Sequence, residues 1–161
     1  MRLPRIDRTM NIEKYSCVSR RNHKAFLFES VGPKGTIKKI VSFKLINEQY
    51  QNIYNLSFGD RDKTKSGIND RVVSNNGDRT KVLATVALTV REFFKHFPNA
   101  IVYVEGSTSS RTRLYQIGIS AYLTEIYEFF DIYGFNNGKP EKFRTGTNYE
   151  AFLILLNKKK P

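Results

Sequence analysis

Residues 79–97 repeat their apolar side chains at helical spacing, and a strand follows after a link of only two residues. Val82, Leu83, Val86, Ala87, Val90, Phe93, Phe94 and Phe97 recur every three to four positions. Asp78 stands where an N-cap belongs, and Pro98, which has no N–H, ends the run. Next comes Ala100-Ile101-Val102-Tyr103-Val104, a short apolar run that reads as a buried strand. The link Pro98-Asn99 forces the chain to reverse. The strand therefore runs back along the helix, and its C-terminal end lies near the helix start. A second helix begins near Ser109, with Leu114, Ile117, Gly118 and Ala121 on one stripe and Tyr115, Ile119, Tyr122 and Ile126 on another. Apolar residues on two sides predict a largely buried helix. Both helix N-termini are then expected at one rim of a sheet, with Glu105 between them.

Strands flank this centre. Residues 24–31 and 36–45 are rich in β-branched and aromatic residues, and Val31-Gly32-Pro33-Lys34-Gly35 between them is turn chemistry, so a hairpin is expected. Residues 51–58 predict a third strand. A long polar loop follows from Gly59 to Asp78, with a short strand at Val72-Val73 inside it. Beyond the second helix, residues 129–135, 141–143 and 151–157 read as strands, the first two joined by the turn Asn136-Asn137-Gly138-Lys139. The order β-β-β-loop-α-β-α-β-β-β, with hairpins at both ends, predicts an α+β fold. Two central helices pack on a mostly antiparallel sheet. Residues 1–23 form a basic arm or a weak first strand near 15–18, residues 24–157 one domain, and residues 158–161 a basic tail.

The chain has 161 residues, enough to bury a core without staples. The single cysteine, Cys17, can form no internal disulfide. No apolar stretch approaches the length of a membrane span, and no secretory h-region follows the N-terminus. A cytoplasmic location and no membrane partner are the expectations. The sequence leaves the oligomeric state open. The formal charge of +12, from 27 Lys and Arg against 15 Asp and Glu, draws the chain toward polyanions.

Four segments are candidates for chemistry. In Glu105-Gly106-Ser107-Thr108-Ser109-Ser110-Arg111-Thr112-Arg113 the hydroxyls can cap a helix whose N–H groups favour an anion, and Arg111 and Arg113 add forked donors. Ser107, Thr108, Ser109, Ser110, Arg111 and Arg113 are therefore phosphate-binding candidates, joined by Asn76 and Lys81 from the start of the first helix. Glu105 is a weak catalytic candidate. The spacing is not that of a Walker A loop. Asp60-Arg61-Asp62-Lys63-Thr64-Lys65-Ser66-Gly67 has the alternating oxygens of a calcium loop, but Lys65 and Arg71 stand where that pattern needs Gly and Glu, so no metal is expected. His23 and His96 are far apart in sequence, and His96 suits the C-terminal end of its helix. No cofactor motif is present. Basic and aromatic residues interleave in the first hairpin at Arg20, Arg21, Lys24, Phe26, Phe28, Lys38 and Lys39. That mixture suits either a nucleic-acid platform or a core strand.

Three groups of residues resemble a family of small, uncharacterised bacterial proteins carrying a domain of unknown function. They are Val73-Ser74-Asn75-Asn76-Gly77-Asp78 with Lys81-Val82-Leu83-Ala84-Thr85-Val86, Gly106-Ser107-Thr108 with Arg111-Thr112-Arg113-Leu114-Tyr115-Gln116, and Asn148-Tyr149-Glu150-Ala151-Phe152-Leu153. The resemblance implies a bacterial, cytosolic, stand-alone domain and brings no activity with it. The functional expectation is binding of a phosphate-bearing ligand, nucleic acid or nucleotide phosphate, at the rim where the helices start. The alternatives are a protein-interaction module in a toxin–antitoxin or phage-defence setting, and a small metal-independent ribonuclease.

Overall fold

The apolar stripe becomes the inner face of helix α1 (Arg79–His96) in the computed structural model of the protein, which describes residues 13–49, 51–62, 67–69, 76–121 and 126–157. The helix buries Ala84, Thr85, Val86, Thr89, Val90, Phe93 and Phe94 against a sheet. Phe93 stacks on Phe43 with ring centroids 4.1 Å apart and meets Tyr54 edge-on at 5.0 Å. Full burial of such side chains stabilises the fold by about 1.5–3 kcal/mol each. The two buried threonines satisfy their own hydroxyls: Thr85 donates to the carbonyl of Lys81 at 2.7 Å and Thr89 to that of Val86 at 2.7 Å.

Among the described residues the sheet has nine strands: β1 (Val18–Arg20), β2 (Ala25–Gly32), β3 (Gly35–Leu45), β4 (Ile53–Asp62), β5 (Gly67–Asn69), β6 (Ile101–Val104), β7 (Phe130–Asn136), β8 (Lys139–Lys142) and β9 (Ala151–Leu156). Their order is β1-β2-β3-β4-β6-β9-β7-β8, with β5 hydrogen-bonded to β4 off this path. Every pairing is antiparallel except β4 with β6, which run parallel. That parallel pair is what a helical crossover requires, and α1 supplies it. The expected α+β class, with a mostly antiparallel sheet and two helices, is the fold observed. The last strand, β9, inserts between β6 and β7. The edge strands are short, β1 with three residues and β8 with four, and Pro140 lies in β8.

Side chains alternate across the sheet with period two. Phe26, Phe28, Val41, Phe43, Leu56, Phe58, Val102, Val104, Ile132 and Phe152 point to the helical side and form the core. The second helix, α2 (Ser109–Ala121), lies on the same side: the Leu83 side chain of α1 sits 3.4 Å from where a side chain on Gly118 would begin. Three sequence readings are corrected here. The segment after Gly59 is not one long loop, because β4 continues to Asp62 and β5 pairs back onto it with Asp60 opposite Asn69; Val72-Val73 lies outside the described residues. Helix α2 is not largely buried: among its described side chains only Thr112 is buried, and Ile117 is 51% exposed. The first strand is Val18–Arg20 rather than 15–18, because Tyr15 turns toward α1 and its backbone N–H bonds Thr85 Oγ1 at 2.9 Å. Residues 1–12 and 158–161, the arm's beginning and the tail, also lie outside the described residues.

Candidate functional site

A notch opens where the parallel strands end. Strand β6 stops at Val104 opposite Leu56, while β4 runs on. On that side β5 pairs with β4 only from Asp60 onward, and Arg111 enters the gap between the two pairings, donating from Nη1 to the carbonyl of Phe58 at 2.9 Å. The notch widens into a cleft of about 170 Å³ lined by Asn55, Ser57, Tyr103, Glu105, Gly106, Ser107, Arg111 and Tyr115, among others. A crevice outside the carboxyl ends of parallel strands is where α/β sheets commonly bind ligands.

The wall at residues 105–112 is held by its own hydrogen bonds. Thr108 caps α2, accepting from the N–H of Arg111 at 3.2 Å. The Thr112 hydroxyl donates to the carbonyl of Thr108 at 3.2 Å and accepts from the N–H of Gly106 at 2.9 Å. Position 106 has no room for a larger residue, since a Cβ there would lie 2.4 Å from the Thr112 nitrogen. Glu105 accepts from the phenol of Tyr103 at 2.7 Å. Burial, followed by that carboxylate, pushes the Tyr103 hydroxyl up to about 12.

The structure divides the predicted site residues. Glu105, Ser107 and Arg111 line the cleft, and Thr108 caps the helix beside it. Ser109 and Ser110 are exposed in the first turn of α2. Arg113 turns toward the chain before β9, donating to Asn148 Oδ1 at 3.1 Å. Asn76 is 2% exposed and its amide is fully engaged: Nδ2 donates to Ser30 Oγ at 3.1 Å and to the Gly35 carbonyl at 2.9 Å, and Oδ1 accepts from the Lys34 N–H at 2.7 Å. Lys81 lies over the Tyr15 ring at 4.3 Å, with Glu13 at 4.0 Å. Both helix starts face the same end of the sheet but dock on different strands. Asn76 holds the β2–β3 turn at Gly35, whereas Arg111 holds Phe58, whose partner in β3 is Val41. The stretch of β3 from Gly35 to Val41 measures about 20 Å at 3.3 Å per residue.

The remaining candidates have structural roles. Phe26 and Phe28 are buried beneath α1, so the first hairpin's rings belong to the core. Lys39 is buried on the same side and pairs with Asp60, the first acid of the calcium-like segment. Among the described residues no group of three or more His, Cys, Asp or Glu could hold a metal ion. His96 stacks on His23 with ring centroids 3.6 Å apart, joining the end of α1 to the β1–β2 turn. Sequence reasoning missed Asn55, Ser57, Tyr103 and Tyr115 as cleft residues. The alternation within Val102-Tyr103-Val104 was the available signal, because it sends Tyr103 to the face opposite its two buried neighbours.

Among the described residues, an open, mostly antiparallel nine-stranded sheet with two helices on one side, and a polar notch at the end of the parallel pair β4–β6, defines an α+β domain. The chain belongs to the family of unknown function DUF6934, which it matches over residues 11–157. No curated protein and no solved structure matches it. Two of the quoted motif groups interlock: Gln116 donates to the Thr147 carbonyl and accepts from the Tyr149 N–H at 3.1 Å, beside the Arg113–Asn148 bond. Among the described residues no helix is long and apolar enough to cross a membrane.

Proposed function

We propose that the protein binds a phosphate-bearing ligand, nucleic acid foremost, at the cleft beside the start of α2. The observation that carries this reading is the placement of Arg111. Its bond to Phe58 fixes a permanently charged fork in the wall of a polar cleft. Forked guanidinium donors match phosphate geometry, and the adjacent helix start adds a favourable dipole. Ser107, Asn55 and Ser57 supply further donors around the same space. The formal charge of +12 gives the molecule the long-range attraction that brings polyanions to such a cleft. Asn76 and Lys81 stand outside the proposed site, because the fold uses both.

The test is a titration of labelled oligonucleotide at two salt concentrations, with wild type and Arg111→Ala side by side. Each lost phosphate contact lowers the slope of log K against log salt by about 0.7–0.9. Unchanged affinity and slope in a folded Arg111→Ala variant would remove the cleft from the reading. Shortening of the labelled RNA without added metal, abolished in Glu105→Gln, would assign the ribonuclease activity instead, with Glu105 as its base.

A further inference from the structure

Among the described residues both helices lie on one side of the sheet, and its other face carries one continuous row of side chains from strand to strand. Lys44 of β3 stands opposite Asn55 of β4, and Asn55 opposite Tyr103 of β6. Tyr103 stands opposite Leu153 of β9, Leu153 opposite Tyr133 of β7, and Tyr133 opposite Lys142 of β8. Six strands at about 4.8 Å spacing make a row about 24 Å long. Both lysines at its ends are exposed, and both tyrosines are half-buried. Phe135 enlarges the aromatic patch, its ring 5.9 Å from that of Tyr103.

We propose that this face is a stacking surface for a single strand of nucleic acid, with bases on Tyr103 and Tyr133 and phosphates toward Lys44, Lys142 and Arg111. The inference rests on the phosphate-binding reading above and adds what is bound and how. Continuity carries it, because Asn55 and Tyr103 belong both to the row and to the cleft that holds Arg111. Charge complementarity selects the occupant. Exposed Arg20, Lys38, Lys44, Arg61 and Lys142 project from this face by register. Of the acids on or beside it, Glu29 stands opposite Lys38 and Asp131 opposite Leu155, Glu105, at the rim, accepts the Tyr103 hydroxyl, and Glu150, also close to Tyr103, accepts from the Gly138 N–H at 3.1 Å. Rings spread over a sheet and framed by cations bind unpaired bases, whose faces are free; a duplex keeps its bases stacked inside and offers such rings nothing.

The experiment measures fluorescence anisotropy of labelled RNA and DNA single strands of about 12 nucleotides, within the site size of single-strand binding modules, and of the matching duplex. Wild type should hold at least one of the single strands at least about 10-fold tighter than the duplex, and Tyr133→Leu should weaken that binding by about 5- to 150-fold, the range for loss of one stacking ring. Tyr133→Phe, which keeps the ring, should bind as wild type; a loss equal to that of Tyr133→Leu would assign the effect to the hydroxyl and overturn stacking. Duplex binding as tight as that of both single strands would overturn it without any variant. So would wild-type binding by a folded Tyr103→Leu, Tyr133→Leu double variant; if Arg111→Ala still weakened binding, the phosphate reading would stand while stacking fell. Failure of wild type to bind any of the three nucleic acids at low salt would remove both.

Discussion

The phenol of Tyr15 donates to the carboxylate of Asp78 at 2.5 Å, across 63 positions of sequence. Asp78 stands at the N-cap of α1, yet its side chain makes no cap bond. It accepts instead from Tyr15 and, at 2.5 Å, from Ser30 of β2. The Tyr15 oxygen accepts in turn from the N–H of Val31 at 3.1 Å. One carboxylate thus joins the N-terminal segment, the helix start and the first hairpin.

Asp78→Ala should therefore destabilise the fold by about 1–3 kcal/mol, the cost of leaving two part-buried hydroxyls without their acceptor. Tyr15→Phe should cost less, because its ring keeps the contact with Phe28 at 5.8 Å. Denaturant midpoints would measure both. A loss confined to helix fraying, with no shift in the Asp78→Ala midpoint, would reduce Asp78 to an ordinary cap.

Stability should fall in alkaline solution. Burial, then Glu105, raises Tyr103 from 10.0 to about 12, and burial, then Asp78, raises Tyr15. The folded state therefore binds protons more tightly than the unfolded one. These groups' contribution is complete below pH 10, where both states are protonated. For Tyr103 it is lost between pH 10 and about 12, as the unfolded chain ionises first. Absorbance of phenolate during an alkaline titration would check this. Tyr103→Phe should delete the latest-titrating component; an unchanged curve would contradict the assignment.

Cys17 should be a slow thiol. Burial, with a smaller contribution from Glu92, pushes it up to about 11. Only the thiolate attacks alkylating reagents, so at pH 8 roughly one molecule in a thousand is reactive. Alkylation of the folded protein should be far slower than in denaturant. Equal rates in the two states would show an exposed, ordinary thiol.

Gly106→Ala should disturb the cleft directly. A Cβ there would approach the Arg111 Cβ to 2.7 Å as well as the Thr112 nitrogen, so the start of α2 must shift. Overpacking of this kind costs about 1–3 kcal/mol. Oligonucleotide affinity should fall with it, since Arg111 moves with the helix. Wild-type stability in the variant would show that the loop yields without cost.

The sequence exposed those parts of this fold that local chemistry determines. The stripe from Val82 to Phe94 and the turn at Gly32 and Pro33 are local, and both elements stand where they were expected. Strand β5 carries only Gly67, Ile68 and Asn69, too few residues for a periodic signal, and the pairing with β4 alone makes it a strand. The insertion of β9 between β6 and β7 has no local signature, because pairing partners of high sequence separation are chosen by the assembled core. The cleft was half visible for the same reason. Arg111 and Ser107 belong to one continuous segment, whereas Asn55 and Tyr103 reach the cleft only through the register of two strands separated by a helix.

The two ends of the open sheet set how the molecule behaves among its own copies. An open sheet exposes rows of unpaired backbone donors and acceptors, an invitation to strand-to-strand polymerisation. At one end, among the described residues, the edge is the three-residue strand Val18–Arg20, followed by Arg21, Asn22 and His23, all with positive φ, which turn the chain away. At the other end Pro140 removes a donor between Lys139 and Lys142, whose like charges repel a second copy. The aromatic face can therefore stay open to a ligand without the sheet growing sideways into fibres.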